Sequence, residues 1–195
     1  MIGLGENETL SLKLLSYKTI TLTALAAAAR VSELHKINIQ LMAAHPSKYL
    51  CHFSSKLKHS RNNRAIKPLE FAKYEENPNL CPVATITAYK QRTDPLRTKG
   101  QTQLFISQIK PHQEVTKQTL ATWVKQVLKC TGVDISKFKS HSTRSASTSK
   151  AATRGASLKD ILDRGHWSNA STWQKFYNKD IESSACRFQN MILKR

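Results

Sequence analysis

The stretch from His141 to Tyr177, HSTRSASTSKAATRGASLKDILDRGHWSNASTWQKFY, constrains this chain more than any other part of it. Its spacing divides it into short helical pieces. Ser142 to Ala152 reads as a helix opened by an HxxR pair, with His141 and Arg144 on one face near its N-terminus. Backbone N–H groups and the positive end of the helix dipole lie there, which suits an anion. Ser157 caps the next piece, LKDILDRG, with Asp160 at the capping-box position. After Gly165 come His166 and Trp167, then SNASTWQKFY, in which Trp173, Phe176 and Tyr177 recur on one helical face. A tyrosine on such a face is more often core than catalytic. A phenol with a pKa of about 10 attacks a phosphate poorly until cations neutralise the phosphate charge. The choice between core and nucleophile therefore rests on how many basic groups the rest of the chain brings to it.

Upstream, Thr9 to Ala29 places Leu, Ile and Ala at helical spacing around a Thr-rich patch, which predicts two helices or one interrupted one. Ala26 to Ala29 reads as small-residue packing against a neighbour. In the following ARVSELHKINIQ, Arg30 and Glu33 stand one turn apart while Leu34 and Ile37 face the core. Taken alone, the Arg30 and Glu33 pair is a surface ion pair worth a few tenths of a kcal/mol. From Ile37 the pattern turns β-prone: INIQLMAAH, KYLCHFSS and AIKPLEFAKY suggest about three antiparallel strands, with Asn62-Asn63 as a turn. Lys56, Lys58, His59, Arg61 and Arg64 make that hairpin basic. Pro82 begins a helix through Val83, Ile86 and Tyr89, RTDPLRTKGQTQ is a loop, and LFISQIK is a short extended piece. Thr116 caps a helix whose Leu120, Trp123, Val124, Val127 and Leu128 form one apolar face, ended by Gly132.

Length and charge narrow the function. The 195 residues fit one domain, with no repeat and no linker. A net charge of +18, from 31 basic and 13 acidic residues, exceeds what solubility needs and points to a polyanion, with nucleic acid first. No amphipathic basic helix stands apart from the domain, and the apolar run around Thr21 to Ala29 is too short to span a bilayer, so no membrane partner is expected. Cys51, Cys81, Cys130 and Cys186 lie far apart with no CxxC pair, which argues against a zinc site and a disulfide framework. Reduced thiols and the lack of an apolar leader predict a soluble protein of the nucleus or cytoplasm.

The order of these features is what becomes specific: Arg in ARVSEL, Lys in a basic hairpin, HxxR opening a helix, His-Trp after a Gly, and Tyr ten residues beyond that Trp. The set resembles the catalytic domain of the tyrosine recombinases, the phage integrase family, from about Leu10 to about Asp180. The wording KLKHSR, NPNLCPVATI, HSTRSASTSKAATRGASLKDIL and HWSNASTWQKFY is most similar to the recombinases of DIRS-type retrotransposons. The resemblance implies an α+β fold, mainly helical with a small three-stranded antiparallel sheet. Arg30 matches the first catalytic Arg and Glu33 the acidic residue that orients the site. Lys58 matches the hairpin Lys that protonates the leaving 5′ oxygen, with Lys56 as the alternative register. His141 and Arg144 match the HxxR pair, and Tyr177 matches the nucleophile. Trp167 is favoured for the sixth position, with His166 second.

The implied chemistry is cleavage and rejoining of double-stranded DNA through a 3′-phosphotyrosyl intermediate. It uses no metal or other cofactor, and the implied state is a homo-oligomer on DNA. Relatives carry a helical core-binding domain ahead of the catalytic one. About nine residues precede the first matching segment here, so residues 1–195 are expected to be the catalytic domain alone. The tail IESSACRFQNMILKR resembles the C-terminal helix that relatives dock on a neighbouring subunit. The alternative function is a non-catalytic DNA-binding module derived from such a recombinase.

Overall fold

The computed structural model describes residues 5–55 and 67–179. Helix α1, Leu12–Ala26, runs through the centre, and Ser11 caps it by accepting from the Leu14 N–H at 3.3 Å. It is one continuous helix, where the sequence left two open. The Thr-rich patch does not interrupt it because Ser16, Thr19 and Thr23 each donate their hydroxyl to the carbonyl four residues back, at 2.7 Å in each case. That bond satisfies a buried hydroxyl without a water or a distant partner. Leu15, Ile20 and Ala24 are fully buried, and α1 packs against α3 (Pro82–Thr93), α4 (Lys117–Cys130) and α5 (Ser142–Thr153).

A short α2, Val31–Leu34, leads into an antiparallel sheet of order β1-β2-β3, formed by Ile37–His45, Lys48–Phe53 and Leu69–Ala72. A tight turn pairs His45 with Lys48, and Tyr49 faces Phe71 across β2 and β3. Cys51, Leu69 and Phe71 bury the inner face, while most of β1 beyond Ile37 stays partly or fully exposed. Tyr49 ties the sheet to α3 by a 3.0 Å hydroxyl contact with Thr87. The predicted turn at Asn62-Asn63 and the basic residues Lys56, Lys58, His59, Arg61 and Arg64 lie outside the described residues, as does the tail from Asp180.

Pro82 occupies the first turn of α3, where its missing N–H costs nothing, and the Cys81 thiol accepts from the Ala84 N–H at 3.4 Å. The predicted loop after α3 contains a 3-10 turn, Asp94–Leu96, strapped by Arg97 to the carbonyls of Gln103 and Leu104. Leu104, Phe105 and Ile106 are buried in an extended piece whose Leu104 N–H reaches the Ile37 carbonyl at 2.9 Å, continuing the sheet beside β1. Thr116 caps α4 by accepting from Thr119 N–H at 3.1 Å, and Leu120, Trp123, Val124 and Val127 bury the predicted face. Helices α6, Leu158–Arg164, and α7, Ala170–Phe176, complete the described chain. They form a separate small cluster of Ile161, Trp167 and Trp173, with Ala152, Leu162 and Tyr177 packed against it. The fold is therefore the mainly helical α+β arrangement that the resemblance implied. The seam between the main core and the small cluster carries most of the predicted site.

Candidate active site

Arg30 stands at the N-cap of α2 instead of inside a helix. Its backbone N–H donates to Glu33 Oε2 at 2.8 Å, and its guanidinium meets Glu33 Oε1 at 2.5 Å. Glu33 is 3% exposed, so the pair is not the exposed ion pair that the local sequence suggests. A buried carboxylate holding both the backbone and the side chain of Arg30 fixes the direction in which that guanidinium leaves the chain. The Arg30 side chain keeps 23% of its surface open.

Arg144, from α5, is 1% exposed and bridges the two cores. Its Nη1 donates to the Ala28 carbonyl at 2.7 Å and lies 3.8 Å from Glu33 Oε2, and its Nη2 donates to the Gly165 carbonyl. The guanidinium carbon sits 3.9 Å from the Trp167 ring centre and 5.5 Å from that of Tyr177. Burial, with the Arg30 charge adding to it, brings the Arg144 guanidinium down to about 10, while Glu33 and Tyr177 oppose the fall. Arg144 Nε and Trp167 Nε1 are buried donors with no partner among the described residues.

Trp167 and Tyr177 pack ring to ring, 4.8 Å between centres at 59°. The indole lies so close under Gly165 that a Cβ there would meet Trp167 Cζ3 at 1.8 Å, so the glycine before His-Trp is required for space. Its own φ of −87° is ordinary. His166 is half-buried and adopts a positive φ of 52°. Burial lowers its pKa; the charges of Arg144, Arg30 and Lys67 lower it further, and Glu33 opposes them. His166 lines a cavity with Lys67, Glu70, Asp163 and Arg164, while Trp167 packs under Arg144 and Tyr177. Tyr177 ends α7, and its carbonyl accepts from the hydroxyls of Ser145 and Ser149 at 2.6 and 2.9 Å.

Four separate pieces of chain therefore bring Arg30, Glu33, Arg144, His166, Trp167 and Tyr177 together. His141 opens α5 as predicted but is exposed and makes no side-chain cap bond, unlike the buried Arg144 one turn later. Lys58 and Lys56 fall outside the described residues. Of the aromatic face predicted for α7, Trp173 is buried and Tyr177 half-buried, while Phe176, the last residue of the helix, is 59% exposed. Sequence reasoning missed Ser145 and Ser149, whose four-residue spacing on α5 was the available signal. It also missed Arg164, whose Nε and Nη2 donate to the Ala26 carbonyl at 3.2 and 3.0 Å.

A mainly helical domain with one small antiparallel sheet, and a site of two arginines, a buried glutamate, His-Trp and a helix-end tyrosine, is the class defined here. Residues 6–183 match the model of the phage integrase family, and the chain belongs to that family. A crystal structure of XerA recombinase is similar in fold, with a TM-score of 0.66 and 16% sequence identity over 98% of this chain. The chain spans 63% of that recombinase's length. No curated protein sequence matches it.

Proposed function

We propose that this chain cleaves and rejoins double-stranded DNA at specific sites, with Tyr177 as the nucleophile, and that it comes from a mobile element of the DIRS type. The observation that supports the reading is the packing of Arg144 and Trp167 on the Tyr177 ring, with Arg30 joined to Arg144 through the buried Glu33, from parts of the chain far apart in sequence. In this reading residues 1–195 make up one catalytic domain. Tyr177 Oη attacks phosphorus, the bond to the 5′ oxygen breaks, and a 3′-phosphotyrosyl bond forms. The phenolic proton leaves to a base, the role given to His141, and the departing oxygen takes a proton from Lys58 or Lys56. Because the phosphotyrosine conserves the bond energy, a second 5′-hydroxyl reverses the step on another strand without a cofactor.

The geometry supports a division of labour. Arg30, aimed by Glu33 and partly open, offers a planar fork to the non-bridging oxygens. Arg144 places a second positive charge beneath them in a site of low polarity, where charge stabilisation is strongest. Its unpartnered Nε, with Trp167 Nε1, supplies donors that a phosphate oxygen satisfies. The partners proposed are duplex DNA, which the net charge of +18 favours, and further copies of the same chain bound along it.

One observation favours the alternative, a DNA-binding module without turnover: both terminal nitrogens of Arg144 are engaged by backbone carbonyls. A randomised pool of duplexes nicked close to each cleavable phosphate separates the two. The recombinase reading expects an adduct that survives SDS with the native chain and disappears with Tyr177→Phe. Retention of DNA by both proteins with no such adduct leaves the binding module.

A further inference from the structure

We infer that Arg164 is a positioning residue for Arg30, acting through the turn that ends α1; this rests on the recombinase reading above. The turn is built as a helix stop in which the Ala29 N–H reaches the Ala24 carbonyl at 3.1 Å and the Ala28 N–H reaches the Leu25 carbonyl at 3.3 Å. This pattern places the intervening residue in the left-handed region, where glycine is favoured. The residue there is Ala28, with φ 48°. A left-handed alanine persists only where its surroundings hold it.

Two guanidinium groups do so. Arg144 takes the Ala28 carbonyl, and Arg164 forks onto the Ala26 carbonyl with Nε and Nη2. The Ala26 carbonyl belongs to the end of α1, whose negative dipole end and unpaired carbonyl groups favour cations, and the Ala28 carbonyl follows it in the turn. Arg30 follows two residues after Ala28, so the turn sets the origin of its side chain. Arg164 itself stands two residues before His166, at the end of α6. The fork therefore links the placement of Arg30 to that of His166 and Trp167, between segments more than a hundred residues apart. Arg164 is half-buried, lines two cavities of about 420 and 260 Å³ beside the turn, and has its pKa lowered by burial. Its effect on the reaction is indirect.

The test compares the native chain with Arg164→Met and with Arg164→Lys, which keeps the charge and one set of donors. Amide hydrogen exchange at Ala28, Ala29 and Arg30 is read beside exchange in α4, and the rate of SDS-stable adduct formation beside duplex affinity. The duplexes are those recovered from the nicked randomised pool. Loss of a charge-assisted bond predicts exchange about tenfold faster or more at the turn in Arg164→Met, with α4 unchanged. The adduct rate at saturating DNA falls about tenfold or more while duplex affinity stays within about threefold, and Arg164→Lys recovers part of both. Exchange at Ala28 to Arg30 unchanged in Arg164→Met overturns the clamp, as does a native adduct rate despite faster exchange. If Arg164→Met does not fold, Arg164→Lys decides: exchange and adduct rate both at native values overturn the inference, and an intermediate loss of both supports it. Should the native chain form no adduct at all, the recombinase reading fails separately. The exchange data then still decide whether Arg164 fixes the turn.

Discussion

Trp167 is the side chain on which the site rests, because its ring contacts both the Arg144 guanidinium and the Tyr177 ring. Trp167→Ala is expected to cost about 3–5 kcal/mol, the usual range for emptying a buried tryptophan position, measured by urea unfolding. His166 makes a different prediction. Its folded pKa lies below the unfolded value of about 6.5, so between the two the unfolded chain binds more protons. Stability is therefore full at neutral pH and falls as pH drops below about 6.5 through the folded pKa. His166→Asn, which tolerates a positive φ, should flatten that part of a stability profile measured by chemical unfolding between pH 5 and pH 8 (a window of roughly this span brackets imidazole titration). An unaltered slope in the variant would assign the acid sensitivity elsewhere. At this scale the ordered motif named Arg30, Glu33, Arg144, Trp167 and Tyr177, which the fold links through side-chain contacts. The roles of the adjacent His166 and Trp167 were not, since the side each faces depends on a left-handed backbone at His166 that no residue type announces.

The helix ends form a pattern among the elements. Four described helices stop with the same pair of bonds, at Ala24 to Ala29, Leu128 to Val133, Ala151 to Ala156 and Leu162 to Trp167. The left-handed position is Gly132 after α4 and Gly155 after α5, but Ala28 after α1 and His166 after α6, the two stops that border the site. Ala28→Gly is expected to raise unfolding free energy by about 0.5–1 kcal/mol, the left-handed penalty less the entropy of a glycine in the unfolded chain. Gly155→Ala, in open space, should lower it by about 1 kcal/mol. Equal signs for the two substitutions would show that backbone conformation is not what distinguishes them. The same comparison explains what was readable. Helices α3, α4 and α6 announced themselves by Pro82, Thr116 and Ser157, and the end of α4 by Gly132. The end of α1 did not, because alanine hides a turn that glycine would have marked. The Thr-rich patch suggested a break in α1 that hydroxyl bonds to the helix's own carbonyls prevent.

For the whole molecule, a net charge of +18 spread over a mainly helical domain predicts binding dominated by phosphate contacts. Affinity for duplex DNA should fall linearly on a plot of log K against log salt, and Arg30→Ala should lessen the slope by about one unit for the phosphate it no longer meets. An unchanged slope would place Arg30 away from DNA. The fold class was legible through the family resemblance, to which one β-prone stretch set between helical segments conforms. The seam between the two hydrophobic clusters was not, since Arg144 bridges them by reaching the Ala28 carbonyl over 116 residues of sequence. The most direct measurement of the central claim is peptide mapping of the chain after reaction with nicked suicide duplexes, followed by nuclease digestion. The account predicts a phosphonucleotide on the peptide containing Tyr177. A nucleotide on any other residue, or an adduct that persists in Tyr177→Phe, would contradict it.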